Sequence, residues 1–424
     1  MNQQIADLHN SYANGTTVSE IIEAATNADD TYCAIESRLT NFAELITFSQ
    51  AQLESGVVRP LEGIPFSVKA NINIKGVTTT NGALVDGNPE IAHAAIVQNL
   101  CDAGAIPVFT TTMAELALGA VTNNVNTGIC LSPLDTSRHA GGSSGGSGAS
   151  VAADWVPFSL GSDTMGSVRI PAAYCGVVGF KPSAETFDRT GLTPLHPQLD
   201  TIGILANSVT DIEKIFRVCN PVSVASSSTK AITLAIPSFI SQAEPQVLRE
   251  FNVQVAKLRA HAEENNFEII EVDLDLDLGL IRRRGLLLIE SAGWKTFAED
   301  GLLPRGISEP VAALLQYGHD ASESKISEAQ FIISETKKLV SNVLGSTEKN
   351  IFLVLPTTPK VYPNISASEM ELATTADFTC LANICDLPAI SLPINSQAIQ
   401  LMGASGNDVA LLAAALYIEG LFRD

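Results

Sequence analysis

Positive charge is what this 424-residue sequence has least of: 25 Lys+Arg stand against 46 Asp+Glu, for a formal net charge of -21 at pH 7. A nucleic-acid binder must neutralise phosphates with Lys and Arg, so that class of partner is excluded. Anionic membrane surfaces are disfavoured for the same reason, and solubility is the plain reading of the charge. Long apolar runs are missing as well. No stretch approaches the roughly 18 apolar residues that a membrane span needs, and the most apolar one, Val409 to Phe422, reads as a core helix. Met1 to Asn10 carries Asp7 and no apolar h-region, unlike a signal peptide. The seven cysteines (Cys33, Cys101, Cys130, Cys175, Cys219, Cys380 and Cys385) are scattered, with no C-x-x-C or H-E-x-x-H pattern. That argues against structural zinc or any bound metal, and for reduced thiols in a cytoplasmic protein.

What the chain does have is apolar material, 46% of residues against 17% charged, enough for a large core. Disorder, collagen and coiled coil each need a composition it lacks. Helical and extended signals alternate. Ile64 to Val68, Ala105 to Thr110, Glu268 to Leu274, Ile351 to Leu355 and Ala389 to Leu392 read as strands. Ala92 to Ala103 reads as a helix stopped by Gly104, and Asp408 to Phe422 as the closing helix. Leu248, Phe251, Val255, Leu258 and Ala262 form one apolar stripe on a helix opened by Pro245. Ser208 with Asp211 resembles a capping box. Strands separated by helices predict an α/β fold around a mostly parallel or mixed sheet. With no internal repeat, one large domain over 1–424 is expected. The serine-rich stretch Ser223 to Ser228 is the best candidate break and reads as a surface loop.

The informative region is the glycine–serine segment His139 to Gly148. A flexible linker fits badly, because apolar sequence resumes at Val151 to Leu160. A phosphate-binding P-loop lacks its lysine. Gly142 to Gly146 satisfies G-x-S-x-G with Ser144 as the serine, so an α/β-hydrolase elbow is an alternative. That elbow needs a buried strand just before it, and Asp135 to Ala140 reads as loop. The histidines then available downstream are His196, His261 and His319, none in a distinctive context. His139 itself reads as a surface or hydrogen-bonding residue.

Two further segments change the reading. Upstream lies Gly63-Ile-Pro-Phe-Ser-Val-Lys69, and downstream Gly161-Ser-Asp-Thr-Met-Gly-Ser-Val-Arg-Ile-Pro-Ala-Ala-Tyr-Cys-Gly176. With the glycine–serine loop between them, these segments resemble the amidase signature family closely. The family carries a lysine ending a G-x-P-x-x-x-K strand, then a G-G-S-S-G-G loop. A D-T-G-G-S-x-R-x-P-A segment follows, its serine 24 residues after the loop's first serine, as Ser167 is after Ser143. Ala103 to Pro107, Val177 to Pro182, Leu199 to Gly203, Leu355 to Pro359 and Leu387 to Pro393 also look like family segments. The resemblance runs from about Thr17 to Glu419.

The resemblance implies a single amidase domain with a central mixed β-sheet covered by α-helices on both sides. N-terminal helices, about 1–56, would pack on that core. It implies an amidohydrolase without a cofactor, acting on a small-molecule amide, with a homodimer as an allowed assembly. Its catalytic residues would be Lys69, Ser143 and Ser167: Ser167 attacks the amide carbonyl, Ser143 bridges as proton carrier through a cis Gly142–Ser143 peptide, and Lys69 is the ultimate base. Lysine can serve as a base once burial lowers its pKa, and Ile64, Phe66 and Val68 make its strand apolar. Backbone N–H groups of Thr164, Met165, Gly166 and Ser167 would form the oxyanion hole. Gly142 and Ser144 would support the loop. Asp163 and Arg169 read as a buried ion pair that rigidifies the turn, ahead of direct substrate contact.

The chain departs from the family pattern at several positions. Ala70 replaces a common Asp, Met165 a common Gly, and Phe109-Thr110 a common Gly-Lys, while the segment after Pro393 is short. Pocket shape and substrate are therefore the open points, and Met165 is expected to project into the acyl pocket. The run Arg282 to Arg284 could grip an acidic ligand, but an exposed helix face is the default. A glutamyl-tRNA amidotransferase A-type subunit is the family alternative, although Ile170 stands where that subunit commonly has Gln. A non-enzymatic member is a third reading, opposed by retention of all three catalytic residues.

Overall fold

The computed structural model describes residues 3–84, 87–220, 232–265, 267–299, 306–345, 350–394 and 397–423. The Ser223 to Ser228 stretch lies outside them. Eleven strands form one sheet: β1 (Ile35–Arg38), β2 (Pro65–Lys69), β3 (Ile106–Thr111), β4 (Phe158–Asp163), β5 (Val178–Lys181), β6 (Thr201–Ala206), β7 (Ile232–Pro237), β8 (Glu268–Val272), β9 (Asn350–Pro356), β10 (Ala389–Ile394) and β11 (Gln397–Met402). Their order is β1-β3-β2-β4-β6-β5-β10-β11-β9-β7-β8. β3, β2 and β4 run parallel, as do β9, β7 and β8, and the strands between are antiparallel. The fold is thus a single domain built on a mixed sheet flanked by helices. The inner strands are buried on both faces, which is why they read as short continuous apolar runs. Edge strand β8 exposes Glu268 and Glu271 and half-buries Ile269, Ile270 and Val272, so the expected strict alternation is not kept.

The expected helices form at Ala95–Asp102, Pro245–Asn265 and Asp408–Arg423. Ser208 caps helix Val209–Cys219 by accepting from the Asp211 N–H. The reciprocal half of the expected capping box is absent, because the Asp211 carboxylate instead accepts the distant Ile5 N–H. Ile5, Leu8, Tyr12, Val18 and Ile22 of the first two helices enter the main core, and Tyr12 donates to the Gly63 carbonyl at 2.6 Å. No described helix is long and apolar enough to cross a membrane.

One local expectation fails. Asp135–His139 is a strand, paired in a small separate hairpin with Leu131–Ser132. Its polar, largely uncovered residues gave no apolar signal to read. His139 is buried rather than at the surface, and its backbone N–H donates to Pro363.

Candidate active site

Parallel pairing of β2 with β4 matches Val68 to Leu160, so the last residues of both strands reach the same sheet edge. Alternation along β2 puts Ser67 and Lys69 on one face. Ser67 bonds Ser150 and Ser159, which locates that face under helix Gly145–Ala152. The glycine–serine segment therefore leads into a helix pressed against the sheet and is not a linker. At Gly146 an added Cβ would lie 2.5 Å from the Ala34 carbonyl oxygen and 2.7 Å from the Thr112 backbone, so only glycine permits the approach.

Ser143 precedes this helix at the end of a cis Gly142–Ser143 peptide, as the resemblance implied. A Cβ at Gly142 would fall 2.5 Å from the Val121 backbone. The Ser143 carbonyl accepts from the Ala114 N–H at 3.0 Å and the Thr122 hydroxyl at 3.3 Å. These contacts leave its Oγ to Lys69, whose Nζ lies 2.7 Å away. Lys69 is fully buried. Desolvation lowers its pKa to about 7, against the opposing pull of Asp163 and Asp200. Nζ also contacts Ser162 Oγ at 2.8 Å, which accepts from Asn71 Nδ2 at 3.0 Å.

β4 ends at Asp163, and the turn that follows carries Thr164, Met165, Gly166 and Ser167 into helix Arg169–Cys175. In the stretch 163–170 Ser167 alone is partly exposed. The turn is held from below by the Asp163 carboxylate, which accepts from Gly166 N at 2.7 Å and Val168 N at 3.1 Å. Asp163 also receives Arg169 Nε and Nη2 at 3.1 and 3.0 Å and Asn383 Nδ2 at 2.9 Å. Arg169 further binds the Thr379 carbonyl, Gln400 and Asn383. Burial alone would raise the Asp163 pKa, yet the Arg169 guanidinium and its hydrogen bonds outweigh it and hold the value at about 2. These two side chains form the buried pair that the sequence favoured, with both side chains fully inaccessible.

Two expectations need correction. The Gly166 N–H is committed to Asp163, so within the expected oxyanion set the N–H groups of Thr164, Met165 and Ser167 remain. Met165 is buried against helix Leu278–Trp294. Its Cε sits 3.1 Å from where a Cβ on Gly285 would be, so the gap left by that glycine in helix Leu278–Trp294 receives the thioether. Arg282 is no exposed face: it is buried, with its Nε 2.5 Å from Asp377 Oδ1. Arg284 pairs with Glu328, and only Arg283 of the three is exposed. Ser144 donates to the Ser162 carbonyl at 3.2 Å instead of facing a histidine, while His319 stacks on Trp294.

Asn71, Ser162, Thr379, Asn383 and Gln400 belong to the site without having been foreseen from the sequence. Ser162 could have been found by pairing β4 with β2, because Lys69 and Ser162 both lie within recognised segments.

A family model for Amidase matches residues 16–412. AtzE of Pseudomonas sp. (strain ADP), which belongs to a 1-carboxybiuret hydrolase, is 44% identical over 179 residues, 42% of this chain and 39% of that protein. The match therefore spans well under half of that relative. The A-type subunit of the glutamyl-tRNA(Gln) amidotransferase from a Nitratiruptor species is 28% identical over 405 residues, 85% of this chain and 90% of that one. Among solved structures, the crystal structure of an amidase superposes with a TM-score of 0.89 at 27% identity, covering 99% of this chain and 100% of the other.

Proposed function

The chain belongs to the Amidase family, and on that premise we propose that it hydrolyses a small carboxamide through an acyl-enzyme on Ser167. The observation that carries this reading is the buried Lys69 Nζ, 2.7 Å from Ser143 Oγ with its pKa lowered to about 7. A serine hydroxyl needs a base to become a nucleophile, and a lysine of that pKa is substantially neutral at physiological pH.

In the proposed reaction Ser167 Oγ bonds to the amide carbon while its proton passes to Ser143, whose own proton goes to Lys69 Nζ. The carbonyl becomes an oxyanion held by N–H groups of the 164–167 turn. As the C–N bond breaks, the proton on Lys69 returns through Ser143 to the leaving nitrogen, which departs as ammonia or an amine. Water then attacks the ester carbon by the same relay, releasing the acid and restoring the Ser167 hydroxyl. Each step conserves protons within the triad and substrate. Seven free cysteines fit a reducing compartment, so we place the protein in the cytoplasm.

A second reading is the glutamine-hydrolysing component of an amidotransferase. The alignment to such a component over 85% of this chain favours it. The net charge of -21 weighs against close work beside tRNA. A panel of amides, glutamine included, offered to the purified chain with no partner separates the two. Ammonia released from non-glutamine amides supports the stand-alone enzyme. Turnover confined to glutamine and dependent on an added partner supports the amidotransferase component.

A further inference from the structure

We propose that Thr379 is a positioning residue for the oxyanion turn, acting from a segment more than 200 residues away in sequence. Its buried hydroxyl donates to the Met165 carbonyl at 2.7 Å, with a longer contact of 3.3 Å to Ala376 O. The other end of the same Met165–Gly166 peptide is fixed too, because Gly166 N donates to Asp163 Oδ1 at 2.7 Å. A peptide unit is planar, so anchoring its C=O and its N–H on opposite sides leaves no rotation about the chain. The Met165 and Ser167 N–H groups belong to the two neighbouring peptides, each joined to that plane through one residue, so holding the plane limits how far either can turn. The Met165 carbonyl is also kept turned toward Thr379.

Two other features support the assignment. Thr379 precedes helix Cys380–Ile384 with helical backbone angles, so its hydroxyl makes no cap bond to that helix. Its hydroxyl serves the turn instead. The fit is also close: a Cβ on Gly166, whose φ is +122°, would collide with both Oγ1 and Cβ of Thr379. Thr379 is itself held by Arg169, whose Nη1 donates to its carbonyl at 2.8 Å. Hydroxyl and carbonyl thus tie the turn and the Asp163–Arg169 pair into one unit.

The inference rests on the amidase reading above, and the test separates the two. Thr379→Val keeps the shape and removes the donor; Thr379→Ser keeps the donor. For Thr379→Val, kcat per active site, counted by phosphonate titration, should fall by about 10- to 100-fold, the scale of a misplaced catalytic group. KM should stay within about threefold, and the midpoint of the pH–rate profile, which reports Lys69, should not move. Affinity for a trifluoromethyl ketone, which forms a tetrahedral adduct on the serine, should fall by the same factor as kcat/KM. Thr379→Ser should recover most of both losses. Wild-type kcat per titrated site in Thr379→Val, or a loss that Thr379→Ser does not recover, overturns the assignment. If wild type neither releases amine nor takes the phosphonate, the amidase reading falls and this inference falls with it.

Discussion

Lys69→Ala should lower kcat/KM by about 10⁴-fold, the scale seen when a triad member is lost, and should abolish the rise of rate with pH. The wild-type rate should climb through a midpoint near 7 as buried Nζ loses its proton, because only the neutral amine can accept one. The direction follows from cause. Desolvation disfavours the ammonium and lowers the pKa, and the Asp163 and Asp200 charges offset this only in part. Lys69→Arg is the sharper variant, since guanidinium cannot be deprotonated in a protein. It should be as inactive as Lys69→Ala, with no recovery at alkaline pH. A Lys69→Arg enzyme that keeps wild-type activity at pH 7 would show that charge, not basicity, is what the position supplies.

Arg169→Met should destabilise the fold by about 3–5 kcal/mol at pH 8, because it strands a buried carboxylate. Asp163 would keep its hydrogen bonds from Gly166, Val168 and Asn383 but lose the guanidinium that holds its pKa near 2. A depressed carboxylate pKa contributes stability above the group's ordinary value near 3.8, and that contribution is lost as pH falls toward 2. In the variant, desolvation dominates and the pKa rises, so protonation relieves the stranded charge as pH is lowered. The stability gap to wild type should therefore narrow from pH 8 to pH 5. Urea melts at the two pH values measure it, and an equal gap at both would mean that Arg169 acts through packing rather than through its charge.

The parts of the site that were legible in the sequence are those written locally. Lys69, Ser143 and Ser167 sit in three short segments whose order and spacing survive any tertiary arrangement, and the cis Gly142–Ser143 peptide came with the loop. The strands and helices near them were legible because buried strands are short apolar runs bounded by glycine and proline. Illegible were the contacts that sequence distance hides. Thr379, Asn383 and Gln400 reach the turn across more than 200 residues, through the packing of helix Cys380–Ile384 and β11. The packing partner of Met165 was hidden because it is an absence of side chain, the glycine at 285. Arg282 looked solvated because the acid that buries it, Asp377, lies 95 residues on.

The central claim is that Ser167, partly exposed at the head of its helix, carries the acyl group. The direct measurement is labelling of the intact chain with a serine-reactive phosphonate, followed by peptide mass spectrometry. One adduct per chain is expected, located on Ser167, and none when Lys69 is replaced by Ala. An adduct on Ser144, or labelling of Ser167 that proceeds at the wild-type rate without Lys69, would contradict it.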